Sequence, residues 1–226
     1  MTTPLQESIS ILDSLMSGLA STVLGPSAGP QDASFRRLYG DIIAYAPELL
    51  TDRTLPTPLL QAFELATSTG ATLLGYELFR QQVLATPYTS PLAQGVNFLF
   101  LWFTLAQEAT IIANTVYTSR QDADADLNTI DAAFTLAEID VADSSVSVYQ
   151  QMIYLHAAVV RDLVNRSLLL PQVIRYNFTR NLPSLTMAQR LYPDDALTLD
   201  RSGELILENK VIHPAFMPQY GVCLGA

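Results

Sequence analysis

The chain has 226 residues, 49% of them hydrophobic, which is enough to bury one sizeable core or two unequal ones and excludes a disordered protein. Twelve Lys+Arg stand against 22 Asp+Glu, a formal net charge of −10, which argues against a protein held directly to nucleic acid by its phosphates. One cysteine, Cys223, excludes an internal disulfide and any cysteine-based zinc site.

The opening "MTTPLQESISILD" carries no basic region ahead of an apolar run, so no Sec-type leader is expected and synthesis in the cytosol is. Helical spacing in "PLQESISILDSLMSGLAS" places Ile9, Leu12, Leu15, Met16 and Leu19 on one face, and "LGPSAGP" breaks the pattern. A second helix is expected over "QDASFRRLYGDIIAYAPELL", with Asp32 as its N-cap. Further helices are predicted over 57–86, 91–118, 123–138 and 145–169, separated by "DRTLPTP", "TPYTSP", "TSRQ" and "VADSS". The most apolar of them, "PLAQGVNFLFLWFTLAQEATIIANTVY", is interrupted by Gln94, Asn97, Gln107 and Glu108. That leaves about ten uninterrupted apolar or small residues where a membrane span needs roughly twenty, so a buried core helix is expected.

After "SLLLPQ" the pattern changes. "VIRYNF" alternates β-branched and aromatic residues as a strand does. "LPSLTMAQRLY" reads as a short helix with Leu185, Ala188 and Leu191 on one face, "RSGELILENK" as a second helix, and "GVCL" as a closing strand. The expected fold is mainly α: a helical bundle body over 1–170 and a small α+β (βααβ) domain over 171–226. The negative excess lies on the body, because from Pro171 onward Arg175, Arg180, Arg190, Arg201 and Lys210 balance Asp194, Asp195, Asp200, Glu204 and Glu208.

No catalytic constellation is found. "DADAD", Asp122 to Asp126, imitates the start of a calcium loop, but Leu127 takes the sixth place, where the turn needs Gly, and Ala133 the twelfth, where a bidentate Glu closes the cage. An acidic helix start that complements the helix dipole is the better reading. His156 and His213 have no ligand partners at metal-binding spacing, and neither a phosphate loop nor a nucleophile motif is present. No metal, cofactor or catalytic residue is therefore expected.

The C-terminal stretch resembles the LysM module, in which a strand is followed by a Leu/Ala helix ending in Tyr, a helix ending in Asn, and a Pro-x-x-x-Pro return into the last strand. More narrowly, "LPSLTMAQRLY" with "ENKVIHPAFMP" is similar to the C-terminus of the DNA circulation protein family of Mu-like contractile-tailed phages. The match covers Tyr176, Leu182, Pro183, Leu185, Arg190, Leu191, Tyr192, Asn209, Ile212, His213, Pro214, Phe216 and Pro218. Pro193 departs from the Gly that usually follows the Tyr, and "PQYG" from the usual Pro-Gly.

This resemblance implies a structural protein of a contractile tail, at the hub or baseplate, that joins the tube end to the baseplate. Hub, tube and baseplate-wedge proteins would be its partners. Several copies are expected, six by the symmetry of such tails, located in the virion after assembly in the host cytoplasm. The alternative is a peptidoglycan-binding protein that uses the same module, against which the altered loops at Pro193 and Gln219 count. Tyr176, Leu185, Leu191, Tyr192, Asn209, Ile212, Pro214, Phe216 and Pro218 are the candidate core and interface residues. Asn209 is expected to cap its helix, and Ile212 and Phe216 to pack beneath a return stiffened by Pro214 and Pro218.

Overall fold

The computed structural model describes residues 3–23, 29–141, 146–193 and 196–225. The chain is mainly helical with one small sheet, and it divides into two compact units, 1–115 with 130–159 and 116–129 with 160–226. Most of the "LGPSAGP" and "VADSS" breaks lie outside the described residues.

The first unit begins with α1 (Pro4–Val23), α2 (Pro30–Ala44), α3 (Ala46–Thr51), α4 (Pro56–Ser68), α5 (Leu73–Ala85) and α6 (Pro91–Asn114). Four of these open on proline, whose fixed φ suits the first helical position and whose missing N–H is not needed there. Ser90 and Thr72 cap α6 and α5, accepting from the Ala93 and Gly75 amides at 3.3 and 3.1 Å. Asp32 is not an N-cap: Gly29 holds that position, and Asp32 sits in the first turn of α2, paired with Arg36 at 3.1 Å.

The helix expected over 57–86 is two helices. Gly70 adopts φ +105° between α4 and α5, a conformation that glycine reaches without a Cβ penalty, and the chain turns there. Pro47 likewise divides the second expected helix into α2 and α3.

Long and apolar enough to cross a membrane by composition, α6 has most of its apolar window buried, and it packs against α1, α4 and α5. At the centre, the Phe63 ring lies 5.8–6.2 Å from the rings of Tyr76, Phe79, Phe100 and Phe103. Such offset and edge-on pairs add to the area that they bury. Then come α7 (Arg120–Val141) and α8 (Val146–Ser167), each contributing residues to both units. "DADAD" lies in the first turns of α7, where Ser119 Oγ accepts from the Asp122 amide at 3.2 Å and donates to its carboxylate at 2.7 Å.

The second unit continues with β1 (Val173–Asn177), α9 (Ser184–Leu191), α10 (Thr198–Glu208) and β2 (Tyr220–Leu224). The strands pair antiparallel, Val173 opposite Leu224 through Asn177 opposite Tyr220. Tyr176, Leu182, Met187, Ala188, Tyr192, Leu205, Met217 and Cys223 form the core, with Leu191 packed partly buried against it.

Candidate interaction surface

In the helical body the polar groups hold helices together. Arg80 on α5 donates from Nε to Glu108 Oε1 on α6 at 3.1 Å. Burial pushes the Glu108 carboxyl up to about 7, with Arg80 opposing that shift and Glu77 adding to it. Its other oxygen, Oε2, is buried and has no hydrogen-bond partner among the described residues. His156 lies between Glu138, 2.8 Å from Nδ1, and Asp131, 2.9 Å from Nε2, and stacks on Phe134. These contacts tie α8 to α7. Among the described residues, no group of three or more His, Cys, Asp or Glu side chains is placed to hold a metal ion.

The C-terminal unit presents a different surface. Asn209 is the C-cap residue of α10, and its side chain does more than end the helix. Its Nδ2 donates to Leu205 O and to Val222 O, both at 2.8 Å, while Oδ1 accepts from Val222 N at 2.9 Å. A side-chain amide thus pairs with β2 as a neighbouring strand would. Tyr192, just past α9, donates its hydroxyl to Leu224 O at 2.5 Å, and burial raises its pKa. Burial likewise pushes the Cys223 thiol up, which keeps it protonated and a poor nucleophile.

The expected core is corrected at three positions. Ile212 is fully exposed, Phe216 is 70% exposed and Leu185 is 44% exposed. The reason for Phe216 lies in the return: Phe216 N donates to His213 O at 3.1 Å, closing a turn that Ile212 precedes, and Met217 N then donates to Leu182 O at 3.1 Å. That bridge directs the next residue inward, so the fully buried Met217 fills the space expected for Phe216. The third is displaced by serine. Ser184 and Ser202 meet through their hydroxyls at 2.8 Å, both buried, and this close approach turns Ser184, Met187 and Ala188 inward and leaves Leu185 outside. Pro214 is exposed and its carbonyl accepts from Ser184 N at 2.8 Å, while Pro218 is half-buried. Tyr176, Leu191 and Tyr192 contribute to the core.

The apolar residues left outside, Ile212, Phe216, Tyr220, Leu207 and Leu199, make this small unit rich in exposed hydrophobic side chains. Scattered apolar side chains are ordinary on a surface, but five large ones are exposed here on a unit with a small core. The Asn209 clamp ties β2 to the end of α10. A Cβ at Gly221 would collide with Asn209 Oδ1 and lie 2.6 Å from the Tyr176 hydroxyl. Gly221→Ala and Asn209→Ala are each expected to destabilise the unit by about 2 kcal/mol, the former by that clash, the latter by leaving Val222 N–H and C=O unpaired. Urea unfolding of the two single variants and the double variant should give non-additive losses, because both act through one amide. Strict additivity would show that the clamp does not couple them. No family model and no curated protein matches the chain.

Proposed function

We propose that the chain is a structural component of a contractile phage tail, a baseplate or hub assembly protein whose C-terminal unit is a LysM-like docking module. The observation that carries this reading is the C-terminal unit itself. Its strand-helix-helix-strand order agrees with the resemblance, its last helix ends in an asparagine that pins the closing strand, and its apolar side chains Ile212, Phe216 and Tyr220 face outward. A module that turns its large apolar groups to solvent is built for contact with another surface. The helical body is the scaffold, and hub, tube and wedge proteins are the partners. Several copies, six by tail symmetry, would assemble in the virion.

The test is genetic and visual. Deleting the coding sequence from the phage or prophage that carries it is expected to give filled heads and few complete tails by electron microscopy. Wild-type protein should restore tails, and a folded Ile212→Glu, Phe216→Glu double variant should not. Normal tails in the deletion would overturn the reading. Saturable co-sedimentation with peptidoglycan, competed by chitin oligomers, would replace it with cell-wall binding.

A further inference from the structure

We infer that the free edge of β1 is a docking site for an extended acidic peptide segment, which would add to the sheet as a third strand. This goes beyond the tail assignment and does not depend on it. The register shows which backbone groups are available. At the two ends of the ladder, Gly225 N donates to Gln172 O and Phe178 N donates to Gln219 O, both at 2.6 Å. Antiparallel bonding alternates, so Ile174 and Tyr176 also point their N–H and C=O groups toward β2. Val173, Arg175 and Asn177 point theirs away from it.

Side chains close some of the outward groups on the two strands. On β2, Asn209 takes both groups of Val222, and Tyr192 takes the carbonyl of Leu224. On β1, Gln121 takes both groups of Val173, with Oε1 accepting from Val173 N at 2.8 Å and Nε2 donating to Val173 O at 3.3 Å. The side-chain amides at Val173 and Val222 independently agree with the assigned alternation. Arg175 and Asn177 are both exposed, and no described side chain answers their main-chain groups in this way. Two successive outward donor–acceptor pairs form a short template for strand addition.

Beside this edge runs a groove of about 460 Å³ between β1 and the end of α9, with Ile174, Phe178 and Leu191 among its apolar lining. Among the described residues, Arg175 and Arg190 are its charged lining residues. An added strand would place alternate side chains in that groove, which suits apolar residues there and Asp or Glu near the two guanidiniums. A second copy of the chain fits poorly. Antiparallel pairing of β1 with itself through Arg175 and Asn177 sets each Arg175 opposite Asn177 of the other copy and the two Arg175 diagonally across one face, so it brings like charges together and offers the guanidiniums no carboxylate.

The full-length protein would be titrated against a fluorescein-labelled octapeptide alternating Glu and Val, read by anisotropy, with amide hydrogen exchange followed by NMR. Saturable binding is expected, at least tenfold tighter than for the Lys-Val counterpart. Exchange at Arg175 and Asn177 should slow on binding, while Ile174 and Tyr176 are protected throughout. Arg175→Pro removes an outward N–H and no bond to β2, so it should keep the β1–β2 protection and weaken the peptide at least tenfold. Arg175→Glu with Arg190→Glu, which leaves the backbone donors in place, should do the same to the acidic peptide and favour the basic one. Absence of binding at millimolar peptide, or binding that leaves the Arg175 and Asn177 amides unprotected, would overturn the inference. So would peptide-free dimerisation that protects those amides, which would assign the edge to a second copy.

Discussion

Met217→Ala is expected to unfold the C-terminal unit, and Phe216→Ala to leave it folded. Met217 is fully buried among Leu182, Met187 and Leu205, whereas Phe216 is 70% exposed and its ring lies 5.8 Å from that of His213. Truncating a buried methionine costs about 2–5 kcal/mol once the cavity is included, and an exposed side chain usually costs within about 0.5 kcal/mol. A core of this size has little to spare, so the larger loss is comparable to the whole stability of a marginal domain. The β1 and β2 amide resonances in a ¹H–¹⁵N spectrum should collapse in the first variant and persist in the second. Equal effects would mean that the return is misassigned by one residue. Under the proposed tail role, Phe216→Ala should still impair tail assembly, because the exposed ring would serve as a contact and not as a filler.

Raising the pH from 4.5 to 8 is expected to destabilise the helical body through Glu108. The folded carboxyl titrates near 7, above its ordinary value of 4.5, because burial outweighs the help of Arg80. A carboxyl with a raised pKa favours the fold while protonated. That contribution is complete below about 4.5, declines as the pH rises toward 7 and is gone above it. The displacement corresponds to about 3 kcal/mol. Glu108→Gln cannot titrate, so its unfolding free energy, followed by urea at a series of pH values, should lack this slope. Subtracting the two curves removes the surface carboxylates that the proteins share. Parallel curves would show that Arg80 holds the Glu108 carboxylate ionised through the whole range. Arg80→Met should carry the decline to higher pH without steepening it, since the carboxylate then loses its partner and its pKa rises further.

The order of elements could be read from the chain because it is set locally. Prolines at the first helical position, apolar residues at helical spacing and the alternation in "VIRYNF" act over a few residues, and they placed α1, α6, β1 and α9 close to where they lie. Breaks that depend on one backbone conformation were missed. Gly70 in "TSTGAT" gives no pattern strong enough to divide a helix, and its positive φ belongs to the turn between α4 and α5. Among the candidate residues, Tyr176, Tyr192 and Asn209 were found by type and position, but the clamp that Asn209 makes on Val222 was not foreseen. Neither was Gln121, whose hold on Val173 spans 52 residues.

The sequence by itself determined a helical body and a strand-helix-helix-strand end, since periodicity and capping chemistry express preferences of the local backbone. Tertiary structure alone decided which side of the return faces inward. "VIHPAFMPQ" has no period, so nothing local distinguishes Phe216 from Met217. The choice is made by one main-chain bond from Met217 to Leu182, 35 residues away, which orients the whole segment. The same holds for the charge at Glu108, where burial by α5 and its neighbours moves the carboxyl to near neutrality, and for the β1 edge, whose open length is what remains after Gln121 has covered Val173. Contacts between residues distant in sequence set these features, because they fix which groups lose water and which keep it.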